Sequence, residues 1–319
     1  MSRTTLTLKE VDKVEIVILM DNYVDVLLAS NDTVTRPPLS EGDEIPLDTF
    51  VAEHGLSLLV DVYRDNIKHS VLFDTGYTRH GVLHNAERLR IDLGEIEAIV
   101  MSHAHMDHTG ALIPILDRIS RPIDLFLHPA AFHFPRYKAL KDGRMLRFPR
   151  TLVREELEKR NTDLHETENP TLIGDETVLI TGGIARRTDF EKGLLNAYVE
   201  KAGKLEKDVI AEDQALAIRL KEKGLVILSG CSHAGIINTV LHAMEATGVK
   251  DIYGIMGGFH LSGPDYEPII DRTIEELARF EPRVLVPMHC TGWEAINRLS
   301  EAFPDAFILN SVGSKYSLA

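Results

Sequence analysis

Three histidines and an aspartate fall within six positions of this chain, at His103, His105, Asp107 and His108. They follow an apolar run, Ile99-Val-Met, and precede Thr109-Gly110 and a second apolar stretch. Side chains alternate along an extended backbone, so His103 and His105 point to the same side and can grip one ion. Asp107 and His108 lie where the chain turns and can reach a second position. Neutral imidazole with carboxylate suits a divalent metal, zinc first, with manganese, iron or magnesium as alternatives. Four residues of ligand type at this spacing point to a metal site rather than to structural histidines.

Elements must hold that loop in place. Apolar runs rich in Val, Ile and Leu predict strands at 14–20, 56–62, 70–73, 96–101, 124–127, 178–180, 215–220, 225–228, 251–255 and 283–286. Several are apolar throughout, as buried strands covered on both faces would be. Helical spacing marks Ile236, Val240 and Ala243, then Ile270, Ile274, Leu277 and Ala278, then Trp293, Ile296 and Leu299. Strands and helices mixed in both halves predict an α/β protein with sheet layers covered by helices. The length of 319 residues favours one domain over 1–319. Residues from about 130 to 170 stand apart. Lys138, Lys141, Arg144, Arg147, Arg150 and Arg154 alternate there with Phe132, Phe134, Tyr137 and Phe148, which reads as a basic lid inserted over the site.

Composition narrows the partners. The net charge of −14 argues against a nucleic-acid binder. It permits a small anionic, phosphorylated substrate, because a bound metal or local arginines can invert the sign at the site. No apolar run is long enough to span a bilayer, and Met1–Glu10 lacks an apolar core, so no membrane partner and a cytoplasmic location are expected. Two cysteines, Cys231 and Cys290, make no disulfide framework and read as buried free thiols. Oligomeric state is left open.

The pattern His-x-His-x-Asp-His after a strand resembles the metallo-β-lactamase superfamily. Leu72-Phe-Asp-Thr-Gly76 matches the strand-end motif ahead of the metal loop, where Asp74 would support the ligands from behind. Asp21-Asn22, Glu212-Asp-Gln-Ala-Leu216, Gly230-Cys-Ser-His-Ala-Gly-Ile-Ile-Asn238, Gly257-Gly-Phe-His-Leu261 and Pro287-Met-His-Cys-Thr-Gly292 occur in order and resemble its dihydropteroate-synthase-like branch. The resemblance implies an αββα sandwich, two sheets back to back with helices outside, holding one or two divalent ions. It implies His233, at a strand end, as the third ligand of the first ion and His289 as a ligand of the second. His260, after two glycines that permit close backbone approach, is a ligand, a general acid, a substrate-orienting group or a purely structural histidine. Asn22 and Arg186 are expected at the substrate, Arg186 as a phosphate clamp beside Arg187.

Most members of the superfamily carry a bridging aspartate at a later strand end. Here that position is read as Cys231-Ser232-His233, with Asp213 the candidate to replace the acid. The branch is linked to joining a dihydropterin methyl diphosphate to a ribofuranosyl aminobenzene phosphate. Metal-assisted hydrolysis of a phosphodiester, lactone or similar ester, with Asp107 orienting the nucleophile, is the second expectation. A metal-binding or ligand-sensing protein without turnover is the third.

Overall fold

The computed structural model describes residues 5–40 and 42–319, so the first four residues of the polar N-terminal stretch lie outside it. Two sheets carry the molecule. In the first, strands run in the order β10 (Thr162–Glu166), β7 (Ile123–Leu127), β6 (Ala98–Val100), β5 (Ile67–Phe73), β4 (Ser57–Arg64), β2 (Lys13–Met20), β19 (Lys315–Leu318) and β3 (Val34–Thr35). In the second the order is β11 (Thr171–Ile173), β12 (Val178–Ile180), β15 (Ala215–Leu220), β16 (Gly224–Ser229), β17 (Ile252–Gly258) and β18 (Val284–Met288), with β1 (Glu10–Val11) also on β15.

Alternation of buried residues explains the layering. Val14, Ile16, Ile18, Val60, Val62, Val71 and Phe73 of the first sheet meet Val178, Ile218, Val226, Leu228, Met256 and Val286 of the second in one apolar core. The opposite faces are covered by helices. Helices α5 (Ile236–Thr247), α6 (Ile270–Ala278) and α7 (Trp293–Ala302) bury Ile237, Val240, Leu277 and Leu299 against the second sheet. Helices α1 (Gly81–Arg88) and α3 (Leu112–Leu116) bury Val82, Ala86, Leu112 and Ile115 against the first. The expected αββα sandwich is the architecture observed. No helix among the described residues is long and apolar enough to cross a membrane.

Each of the ten strands expected from apolar runs is present, with ends shifted by a few residues. The basic region at 130–170 is differently built from the expected lid. β8 (Arg136–Ala139) and β9 (Met145–Arg147) join β13 (Ala197–Lys201) and β14 (Lys204–Lys207) in a separate four-stranded sheet. Helix α4 (Arg154–Glu158) follows, and β10 returns to pair with β7 at the edge of the first sheet. Residues 162–166 are therefore part of the main scaffold.

Parallel pairing sets where the site lies. β5, β6 and β7 run parallel, as do β16, β17 and β18, and β2 shares the direction of β5 through antiparallel β4. The carboxyl ends of β2, β5, β6, β16, β17 and β18 all open at one edge of the sandwich, where open α/β sheets bind ligands.

Candidate metal centre

Each of those strand ends delivers a ligand-type residue. β5 ends at Asp74, and β6 leads into His103, His105 and helix α2 (Met106–Thr109), which carries Asp107 and His108. β16 leads to His233, β17 to His260 and β18 to His289. The backbone is forced to make these turns: Asp74, Ser232, His260 and His289 have φ of +61°, +54°, +49° and +53°. Non-glycine residues in that region are uncommon, and such strain gathers at functional sites.

Two ligand sets form. His103 Nε2 lies 3.0 Å from His105 Nδ1, and His233 Nε2 lies 3.1 Å from the same atom. Burial pushes all three imidazoles below their ordinary pKa, His105 to about 3, so they are neutral. Ser102 Oγ donates to Asp74 Oδ2 at 2.6 Å and therefore accepts from His103 Nδ1 at 2.8 Å, which leaves a lone pair on His103 Nε2. A cation standing among these three nitrogens would take that lone pair. Ligands held tetrahedrally at about 2.0–2.1 Å lie roughly 3.3 Å apart, so the set fits a divalent ion.

The second set comprises Asp107, His108 and His289 together with Cys231. Asp107 Oδ2 is 3.4 Å from His289 Nε2 and 3.8 Å from His108 Nε2. Asp107 Oδ1 and His289 Nε2 are buried without hydrogen-bond partners, again as a cation site requires. Burial alone would raise the Asp107 carboxyl, but His108 and His289 outweigh it and hold it ionised. Burial likewise opposes charge on His108, yet the Asp74 and Asp107 carboxylates lift it to about 9. The sequence-expected ligands His103, His105, Asp107, His108, His233 and His289 are thus brought together in two sets, and Asp74 lies behind both.

Other expected residues take different places. Asn22 accepts from His289 Nδ1 through Oδ1 at 3.3 Å and donates to His289 O at 3.0 Å, so it holds a ligand-type imidazole as well as lining the opening. Asp213, the candidate for the bridging acid, accepts from Ala234 N at 2.7 Å, supporting the turn beneath His233, and falls in neither set. Arg186 is exposed and donates to Val209 O, close to Gly193 at the rim. Arg187 is drawn away to Glu245 on α5. His260 stacks edge-on to His233, with ring centroids 4.4 Å apart, and groups with His233 and Cys231.

Four residues have places at the site that the sequence reading did not assign to them. His54 stands at the mouth, its Nε2 3.7 Å from Asp107 Oδ2. Asp21 accepts from His289 N at 2.8 Å. Cys231 Sγ is 3.1 Å from His108 Nε2. Ser102, between Asp74 and His103, was signalled only by its place at the strand end. From the basic region, Phe148 stacks on His105 with centroids 5.0 Å apart. Beside His289 a cavity of about 220 Å³ opens, lined by Asn22, Tyr23, Met288, Trp293, Ile296 and Leu309 among others.

Comparison with known proteins places this geometry in context. The family model of the metallo-beta-lactamase superfamily matches residues 52–190. A 7,8-dihydropterin-6-methyl-4-(beta-D-ribofuranosyl)-aminobenzene-5'-phosphate synthase of Methanocaldococcus jannaschii is 32% identical over 261 residues, 81% of this chain and 87% of the relative. An uncharacterized protein of the same organism is 30% identical, over 85% of this chain and 96% of its own length. Among solved structures, Tm1679, described as a metal-dependent hydrolase of the beta-lactamase superfamily, superposes with a TM-score of 0.72 at 28% identity, covering 95% of this chain and 98% of its own.

Proposed function

Since the chain belongs to the metallo-β-lactamase superfamily and is a metal-dependent enzyme of it, we propose that it moves a dihydropterin-methyl group from its diphosphate to a ribofuranosyl aminobenzene phosphate. The product is that named for the 32% identical relative. The observation that carries the reading is the cavity against His289. It is large enough for a flat bicyclic ring, and mostly apolar side chains, Trp293 foremost, line it next to the ligand set.

In this reading divalent ions at the two sets supply positive charge where the diphosphate leaves. The chain's residues do the positioning. Asn22 and Asp21 fix His289, and Asp74 fixes His108 directly and His103 through Ser102. Trp293 and Tyr23 seat the ring. His54, exposed at the mouth, is placed to touch the arylamine as it attacks the methylene carbon, and the amine proton and diphosphate then depart. Phosphate on the acceptor is assigned to the depression lined by Lys192, His233, His260 and Tyr266, with Arg186 behind Gly193 adding charge.

Release of pyrophosphate, measured with both substrates and with each alone, tests the reading. It expects release only when both are present. A second reading, hydrolysis of a phosphodiester or related ester, is favoured by the likeness to a structure described as a hydrolase. Turnover of a generic phosphodiester with no pyrophosphate formed from the paired substrates would establish that alternative.

A further inference from the structure

One amide sets the protons of two imidazoles at the mouth of the second set. Asn22 Nδ2 lies 3.0 Å from His289 O and 3.2 Å from His54 Nδ1. A backbone carbonyl only accepts, so this atom is the amide nitrogen, and its two hydrogens serve the two partners. Asn22 Oδ1, 3.3 Å from His289 Nδ1, accepts from that ring. The two imidazoles therefore take opposite tautomers. His289 carries its proton on Nδ1 and keeps the Nε2 lone pair for a cation. His54 accepts at Nδ1 and carries its proton on Nε2.

The fold holds His54 at this place. Glu53 N donates to Asp21 O and Leu56 N to Asp107 O, each at 3.1 Å, so the backbone on either side is tied to the end of β2 and to the metal loop. Gly55 lets the chain pass between them: a Cβ there would fall 2.7 Å from Tyr77 N and 3.0 Å from Asp107 O. The His54 ring leans on His289, with centroids 4.9 Å apart. Its Nε2 is 3.7 Å from Asp107 Oδ2, beyond hydrogen-bond length, and 62% of the side chain is exposed. The Nε2–H is left for a substrate at the second set.

We propose that His54 is a catalytic hydrogen-bond donor, and that Asn22 positions it. Neutral, it gives Nε2–H to the substrate oxygen that gains charge as the leaving group departs at the second set, and it does not act as a base. The inference rests on the transfer reading above. There the arylamine nitrogen bonds to the methylene carbon as the carbon–oxygen bond breaks, and the electron pair goes to the diphosphate oxygen. Nε2–H donates to that oxygen without transferring its proton, and the amine proton passes to water. A donor oriented beforehand at developing charge lowers the barrier.

Two measurements on the full-length, zinc-loaded protein test this. Long-range proton–nitrogen NMR spectra of protein labelled with ¹⁵N-histidine, at about pH 8 where an ordinary imidazole is neutral, should show His54 with its proton on Nε2. The signals missing from His54→Gln identify it. Finding the proton on Nδ1 overturns the proposal without any substrate. In pyrophosphate release from the paired substrates, His54→Ala should lower kcat by about a hundredfold to a thousandfold, with metal content unchanged. His54→Gln, whose amide donates but takes up no proton, should recover at least about tenfold of that loss. A glutamine variant as slow as alanine overturns the donor role, as does an alanine variant as fast as wild type. If wild type releases no pyrophosphate, the transfer reading fails by itself. The same three proteins are then compared on phosphodiester hydrolysis, where the expected order is unchanged and equal rates overturn the donor role.

Discussion

Asp74 Oδ2 lies 2.6 Å from His108 Nδ1, and both side chains are fully inaccessible to solvent. The same carboxylate receives Ser102 N at 2.7 Å and Ser102 Oγ at 2.6 Å. One buried acid thus sets the tautomer of His108 directly and that of His103 through a hydroxyl, so it orients one imidazole of each set. Removing its charge should cost both ions. Asp74→Asn, which keeps the shape, is expected to weaken metal binding by about tenfold to a hundredfold, measured by chelator competition. An affinity equal to wild type would show that the imidazoles need no such support.

Deleting the outer ligands should separate the two sets. His233→Ala is expected to lose metal from the His103–His105 set, and His289→Ala from the Asp107–His108 set. Metal analysis after dialysis, with each variant checked for an intact fold by circular dichroism, reads the stoichiometry. Full metal content in either folded variant removes that histidine from the ligand list.

Arg136 forms a buried ion pair with Glu212 and lies 3.4 Å from Asp208 Oδ2. It also donates to Ala130 O at 2.8 Å and to His133 O at 3.0 Å, so it ties the turn after β7 to the loop ahead of β15 that carries Asp208 and Glu212. Arg136→Ala would leave a buried carboxylate unpaired, and denaturant unfolding should show a loss of about 3–5 kcal/mol. The change of Arg136 and Glu212 together to apolar residues of similar size should cost much less. Equal losses in the single and double variants would mean that packing, not charge pairing, is at stake.

Glu191 reaches across to the start of α5, where its carboxylate accepts from Ile237 N at 2.9 Å and Asn238 N at 3.0 Å. Burial nevertheless raises its pKa to about 7 from 4.5, against these hydrogen bonds and that of Thr188. The folded state therefore holds this proton more tightly than the unfolded chain does. Its contribution is full below about pH 4.5 and is lost as pH rises through about 7. Glu191→Gln should remove that part of the pH dependence. The stability difference between wild type and variant should move by about 2–4 kcal/mol in the variant's favour from pH 4.5 to pH 8. Parallel stability–pH curves would contradict the assignment.

Trp293 is the chain's one tryptophan and is 68% exposed at the start of α7. Its fluorescence therefore reports on the cavity beside His289. A dihydropterin should quench it saturably, and Trp293→Ala should raise KM for the pterin substrate by roughly fivefold to thirtyfold, about 1–2 kcal/mol of ring contact, with metal content unchanged. Normal turnover without quenching would place the ring elsewhere.

The sequence by itself determined the layered sheets and the inner half of the site. Buried strands such as 178–180 and 225–228 are apolar along their whole length, and that signal is local. His103, His105, Asp107 and His108 were legible for the same reason: their mutual placement is set by a few consecutive residues at a strand end. Strands such as Thr162–Glu166 and Lys204–Lys207 were not, because they are polar, lie at sheet edges and take their conformation from a pairing partner. The tertiary structure alone decided which distant residues meet. Asn22 and His289 are 267 positions apart, and His108 and Cys231 are 123 apart. Strand order in two facing sheets brings them within hydrogen-bond reach, and no local spacing encodes that order. Hence Asp213, with the right chemistry, is held beneath a turn, while Cys231, read as an ordinary buried thiol, stands against His108 in the second set.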